Sequence, residues 1–256
     1  MKRFLKGFAN TILNAFGIQI SEKGRRISMT DIVDQFLALG FRPKTVIDVG
    51  VADGTFELYR FPNAKYLLIE PLKEFENNLQ SISRRYHGEY VLAAASDSPG
   101  TITINVHEKK SGSSIFLETE GSFLDGVPRE VTAVTIDDLC KVRKLGGPYL
   151  IKADVQGAEL KVLDGARKVL NDTEVVIIEA SLFQFYKKGP QLYDVVTYMK
   201  KRGFVIYDFC GGHNRPLNGA LAQLDVIFVR ETGQFRKHHS YRSFMNPRID
   251  DQVQRA

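Results

Sequence analysis

Residues 45–56 read TVIDVGVADGTF, and LLIEP follows at 67–71. The first stretch is a short apolar run that ends in glycine and gives way to a helical period, which is how a parallel strand turning into a helix reads. Working outward, the same grammar predicts strands at Thr45 to Gly50, Tyr66 to Glu70, Tyr90 to Ala95, Tyr149 to Asp154, Val175 to Ala180, Phe204 to Phe209 and Leu224 to Arg230. Helices are expected over much of 30–40, 54–60, 72–85, 158–170 and 190–202. Short strands alternating with helices define an α/β chain with a mostly parallel sheet. The segment Thr101 to Val134 breaks the rhythm, because Ile102, Ile104 and Val106 alternate with Thr and Asn as in a two-faced antiparallel strand. It predicts an inserted β-hairpin or lid around 100–135.

With 256 residues, 43% of them apolar and 25% charged, the chain can bury one sizeable core, which excludes disordered and fibrous classes. Its two cysteines, Cys140 and Cys210, form no Cys-x-x-Cys pair, and no His cluster has ligand spacing, so neither a disulfide scaffold nor a zinc site is expected. A reducing, cytoplasmic setting fits. The net charge of +5 sits at the ends: residues 1–44 carry eight basic against three acidic side chains and 230–256 six against three, leaving a slightly acidic middle. No nucleic-acid partner is expected from that distribution.

Three regions are expected: an amphipathic extension at 1–29, a domain at 30–231 and a basic extension at 232–256. In residues 1–20, Lys6, Asn10 and Asn14 interrupt any signal-peptide core, while Phe4, Leu5, Phe8, Ile12, Leu13 and Phe16 share a helical face beside Lys2, Arg3 and Lys6. That face suits either packing on protein, including a second subunit in a homo-oligomer, or contact with an anionic membrane surface. The second reading would place the chain at the inner face of the membrane.

In an open parallel sheet, ligands bind beyond the carboxyl ends of the strands. Four candidates follow the first strand, Asp48, Gly50, Asp53 and Gly54, whose glycines allow a tight turn and close backbone approach. Glu70 and Pro71 end the second strand about 20 positions on, the spacing at which a carboxylate reaches a ribose, and Ser96 and Asp97 end the third. A dinucleotide is disfavoured, because the third glycine of G-x-G-x-x-G is missing and the acidic strand ends would repel a pyrophosphate. A phosphate-free adenosine carrying a sulfonium and an ammonium suits that field, and S-adenosylmethionine is such a ligand. Asp48, inside an apolar strand, is expected to order the glycine turn through backbone N–H groups or to reach the methionine end.

The blocks TVIDVGVADGTF, LLIEP, AAASD (93–97), VTIDDL (134–139), LIKADVQGAELKVLDGA (150–166) and VVIIEAS (175–181) occur in this order, and the sequence resembles the FkbM family of methyltransferases over roughly residues 30–231. The resemblance implies a Rossmann-like class I methyltransferase fold with a seven-stranded sheet, helices on both faces and an antiparallel last strand. It also implies S-adenosylmethionine as cofactor and O-methylation of a hydroxyl, often on a sugar of a glycan, glycolipid or glycosylated natural product. Where the family usually has Glu, this chain has Gln156.

An acceptor hydroxyl needs a base or an oriented proton acceptor. Asp154 is the first choice, with Glu179 at the next strand end and His213, in the stretch GGHNRP read as a loop, behind it. Lys152 lies two residues before Asp154, hence on the same face, where it either forms an internal ion pair or holds the carboxylate for catalysis. No metal site is assigned, although acidic strand ends leave a metal-dependent variant open. Other readings are a small-molecule acceptor that is not a sugar, and a non-catalytic assembly or membrane-recruitment module, which would predict a decayed glycine turn.

Overall fold

The computed structural model describes residues 28–121 and 123–240; the amphipathic face expected in residues 1–20 lies outside them. Helix α1 (Met29–Ala38) starts where Ser28 accepts from the Asp31 N–H and Asp31 bonds back to the Ser28 N–H, a reciprocal cap for the free donors of the first turn. Strands β1 (Thr45–Val49), β2 (Lys65–Glu70) and β3 (Glu89–Leu92) follow, with α2 (Glu76–Tyr86) between the last two. Next come β4 (Ala94–Ala95), β5 (Gly100–Val106), β6 (Val127–Val134) and α3 (Ile136–Val142). The chain continues through β7 (Tyr149–Ala153), α4 (Glu159–Asp164), β8 (Thr173–Ser181), α5 (Leu192–Lys201), β9 (Phe204–Asn214) and β10 (Leu221–Arg230).

The main sheet has seven strands in the order β3-β2-β1-β7-β8-β10-β9. Its first five are parallel, and β10 runs antiparallel to both β8 and β9. Side chains alternate between the faces, so central strands covered on both sides read as continuous apolar runs. On one face Ile47, Ile151, Ile178 and Phe228 pack with Val162 and Leu163 of α4 and Met199 of α5. On the other, Val46, Leu150 and Ile227 pack with Ile32, Val33 and Phe36 of α1 and Ile82 of α2. Phe235, beyond the last strand, closes this second layer with its ring 4.9 Å from that of Phe36.

The expected hairpin is present: β5 and β6 pair antiparallel from Gly100↔Ala133 to Val106↔Val127. Its apolar face, Ile104 and Val106, buries against Leu72 and Ala94. The stretch read as one strand from Tyr90 to Ala95 is two, because β3 is an edge strand and the chain leaves it at Ala93 to pair β4 with β6.

Two helices are shorter than their patterns suggest. The one expected over 54–60 is a single 3₁₀ turn at Leu58–Arg60, cut off by Pro62 and too short to propagate. The one expected over 158–170 stops at Gly165, where the chain passes the Ser96 carbonyl. Helix α3 was not expected, although Thr135, whose hydroxyl accepts from the Asp138 N–H at 3.1 Å, marks its start. The stretch with His213 is strand and not loop: β9 runs on to Asn214 because Gly211 and Gly212, at φ +60° and +96°, absorb the register shifts against β10.

A Cβ on Gly165 would stand 1.9 Å from the Ser96 carbonyl oxygen, although the residue's φ of −82° suits any side chain. Gly165→Ala is therefore expected to destabilise by steric overlap alone, by about 1–3 kcal/mol, read from denaturant unfolding followed by circular dichroism. An unchanged midpoint would mean that the contact is slack.

Candidate active site

A cleft opens at the carboxyl ends of β1, β2 and β4. Of the residues expected at the cofactor, Gly50, Glu70, Pro71 and Ser96 line it, and so does Asp154. Gly50 has φ +79°, and a Cβ there would lie 1.8 Å from the Asp154 carbonyl oxygen, so only glycine lets the ends of β1 and β7 meet. The Glu70 carboxylate is buried and accepts from the Ala52 N–H at 3.1 Å and the Leu72 N–H at 3.0 Å. Burial pushes its pKa up against those two bonds. Each oxygen keeps further acceptor capacity for a ligand.

The other candidates stand back from this cleft. Asp53 accepts from the Asn78 amide at 2.9 Å, and Gly54 packs against Ile82 of α2. Asp97 pairs with Lys161 at 3.3 Å. Asp48 is fully buried and accepts from the Tyr59 hydroxyl at 2.6 Å and the Thr55 hydroxyl at 3.5 Å. It thus fixes the segment after the glycine turn through side chains, and not through the backbone N–H groups, one of the two expectations from sequence. Burial raises its pKa, with Lys152 pulling the other way.

Lys152 is buried beside Asp48, its register partner, and its ammonium meets the Asp154 carboxylate at 2.9 Å. Burial works against the charged amine, but the carboxylates of Asp154, Asp48 and Asp225 outweigh it and hold its pKa above the ordinary value. The Gln156 amide donates to Asp154 and to Glu179, each at 3.0 Å, and its carbonyl accepts from the Tyr186 hydroxyl at 2.9 Å. The orientation of that amide follows from Asp154, since a carboxylate can only accept. Gln223 donates a second amide to the same Glu179 oxygen at 3.0 Å, and His213 meets the Gln223 carbonyl oxygen at 3.0 Å. Burial first, then the charges of Asp154 and Asp225, push the Glu179 carboxyl up to about 8 against the pull of Lys152. Lys152, Asp154 and Glu179 are thus gathered at one edge, with the exposed His213 two hydrogen bonds out.

The turn at Asp154–Gly157 is clamped on two sides. Glu159 accepts from the Val155 and Gly157 N–H groups at 3.1 and 3.0 Å, and Ser114 of the insertion donates to the Gln156 carbonyl at 2.6 Å. Sequence reasoning missed Ser114, Tyr186 and Gln223 as site residues; no local motif marks them, since the fold brings them from distant segments. Ile102 and Ile104 also line the cleft. Their alternation is legible, but the surface they face is not. Among the described residues, no group of three or more His, Cys, Asp or Glu is placed to hold a metal ion.

The strand order, the reversed β10 and a glycine turn facing a strand-end glutamate define a Rossmann-like class I methyltransferase fold. The family model described as the Methyltransferase FkbM domain matches residues 48–206, and the chain belongs to that family. No curated protein matches the chain. Similar solved structures include a magnesium protoporphyrin IX methyltransferase from Synechocystis PCC 6803 with bound SAM, at 10% identity over 79% of this chain and 77% of that one, TM-score 0.44. A S-adenosylmethionine-dependent methyltransferase from Clostridium acetobutylicum ATCC 824 gives 11% identity over 88% of this chain and 98% of that one, TM-score 0.42. The N-terminal domain of EvdMO1, in the presence of SAH and D-fucose, gives 7% over 84% and 88%, TM-score 0.43.

S-adenosylmethionine fits the cleft. The Glu70 carboxylate stands on one wall, and Leu72, Phe75, Ile102 and Ile104 offer apolar surface to a base.

The clamp on the turn carries a pH signature. Burial raises the Glu159 carboxyl from 4.5 to about 7, so the folded chain keeps a proton that the unfolded chain has lost. Its contribution to stability is full below pH 4.5 and falls as pH rises through about 7, by at most roughly 3 kcal/mol. Glu159→Gln keeps the accepting oxygen but cannot titrate, so its stability relative to the native chain should rise across that window. Parallel unfolding curves for the two proteins would refute a buried, proton-holding Glu159.

Proposed function

We propose that the chain transfers a methyl group from S-adenosylmethionine to an acceptor hydroxyl. The observation that carries this reading is Glu179, a carboxyl raised to about 8 and held by two amides, one of them from Gln156, which lines the cofactor cleft with Asp154. A hydroxyl becomes a good nucleophile only as its proton leaves, and a base near neutral pKa suits that task. A neutral amine attacks through its lone pair before any proton is lost, so it has less use for such a group. A sugar as the carrier of the hydroxyl follows from the family resemblance.

In this reading Glu70 accepts the ribose hydroxyls, and the apolar wall of Leu72, Phe75, Ile102 and Ile104 takes the adenine. Gly50 lets the backbone approach the methionine end. The bound sulfonium supplies an electrophilic methyl carbon, whose bond to sulfur breaks with the electron pair going to sulfur as the new carbon–oxygen bond forms. Glu179 takes the hydroxyl proton. Asp154, the first choice on sequence alone, is engaged by Lys152 and Gln156 and orients the reacting edge.

Two outcomes are expected. Glu70→Gln should weaken S-adenosylmethionine and its demethylated product by about 1.5–3 kcal/mol in calorimetry, because a charge-assisted contact is lost. Equal affinity would place the ribose elsewhere. Glu179→Gln should lower methyl incorporation by roughly two to four orders of magnitude, measured with methyl-labelled cofactor on glycans and glycolipids extracted from cells lacking this chain. The native rate should climb about tenfold per pH unit and level near 8, the pH above which Glu179 is ionised. A pH-independent rate, or a fully active Glu179→Gln, would remove Glu179 from the chemistry.

A further inference from the structure

The two amides that hold Glu179 end on one atom. Gln156 and Gln223 both donate to Oε2, each at 3.0 Å, which fills the two lone-pair positions of that oxygen and leaves Oε1 without a hydrogen-bond partner among the described residues. The two amides are not equally secured. The Gln156 nitrogen also donates to Asp154, and its carbonyl accepts from Tyr186, so it is held at both ends. Gln223 has only Glu179 at its nitrogen and His213 at its oxygen, 3.0 Å from the ring Nε2. A carbonyl oxygen only accepts, so this contact requires the proton on Nε2. The placement of His213 is built into the sheet. Asp225 pairs with Cys210, and a regular ladder would set Gly212 opposite Gln223, but the bulge at Gly211 and Gly212 brings His213 there.

We propose that His213 is a positioning residue that acts on Glu179 through Gln223, keeping that amide turned with its N–H toward the carboxyl so that Oε1 is the oxygen that takes the acceptor's proton. The proposal rests on the methyl-transfer reading above and adds which atom of the base reacts and what keeps it ready. A half turn of the Gln223 amide would set its carbonyl against Oε2. An ionised Glu179 is repelled in that arrangement, whereas a protonated one donates its O–H to the carbonyl, so the flipped amide traps the proton on Oε2. The Nε2–H of His213 opposes the flip, because it would then face an N–H. Without it the carboxyl keeps its proton to higher pH, and fewer chains are ready to accept one. The other ionisable groups around the carboxyl are Asp154, Asp225 and Glu159, which raise its pKa, and Lys152, which lowers it. Around His213 stand Asp225, on the neighbouring strand β10, and Glu118, Glu120 and Arg215, which line a surface cleft together with it. A charge on the ring would also act on Glu179 through space, so the two routes must be separated.

The test is a double-substitution cycle read by carbon-13 titration of the Glu179 carboxyl in the full chain, with the resonance assigned by its loss in Glu179→Gln. His213 is exposed, so His213→Phe leaves the core untouched while removing the donor. It should raise the Glu179 midpoint by about 0.5–1 pH unit, the effect of a partly lost hydrogen bond to an ionised group. Gln223→Met, similar in shape but without the amide, should raise the midpoint as well. Adding His213→Phe to Gln223→Met should then move it by no more than about 0.3 pH unit, because the route through the amide is already gone. An unmoved midpoint in His213→Phe overturns the proposal. So does a shift of equal size in the Gln223→Met background, which would mean that the ring acts by its charge alone. The pH dependence of methyl transfer in the same variants tests the underlying reading separately, since the rate midpoint should move with the carboxyl. A carboxyl that moves while the rate midpoint stays would remove Glu179 as the base, with the coupling of His213 to the carboxyl intact.

Discussion

The ammonium of Lys152 sits inside the sheet beside Asp48 and Asp154, with Asp225 also acting on it, and the carboxyl edge of the fold depends on that charge. An unpaired buried carboxylate is costly, and several on adjacent strands would repel one another as well. Register puts Asp48 opposite Lys152 on β1 and β7, and Glu179 opposite Asp225 on β8 and β10. One cation therefore serves carboxylates from several strands. Removing one partner of such a cluster is worse than removing the cluster, because the remaining charges keep their desolvation cost.

What Lys152 leaves uncompensated is chemically useful. Asp154 holds the nearest position to the ammonium, and Glu179, farther along the edge, is left with neutral amides and like charges for neighbours. The result is two carboxyls in different environments a single side chain apart. Gln156 suits the position between them: its nitrogen donates to both carboxylates while its oxygen accepts from Tyr186. A glutamate there would add a negative charge beside Asp154 and could not donate to either neighbour while ionised.

Much of this was legible in the sequence where apolar period and turn chemistry agree. The buried parallel strands, the glycine turn after β1 and Glu70 at the end of β2 fall where the patterns place them. The misses have physical causes. The stretch from Tyr90 to Ala95 is apolar throughout, so nothing marks Ala93 as the point where the chain changes sheets. The pattern over 54–60 lacks the length to make a helix against Pro62. The acceptor side of the site was hidden for a different reason: Tyr186 and Gln223 lie on segments far from Asp154 in sequence, and only the pairing of β8 with β10 and the docking of the insertion bring them together.

The central claim is that Glu179 stays protonated into the neutral range because burial, and then the charges of Asp154 and Asp225, outweigh the pull of Lys152. A carbon-13 titration of glutamate carboxyl groups, with the Glu179→Gln spectrum to assign the resonance, measures this directly. The account predicts a carboxyl that titrates near 8 and moves higher still in Lys152→Met, where the opposing positive charge is gone. A Glu179 resonance that titrates near the ordinary 4.5, or one indifferent to the loss of Lys152, would contradict it.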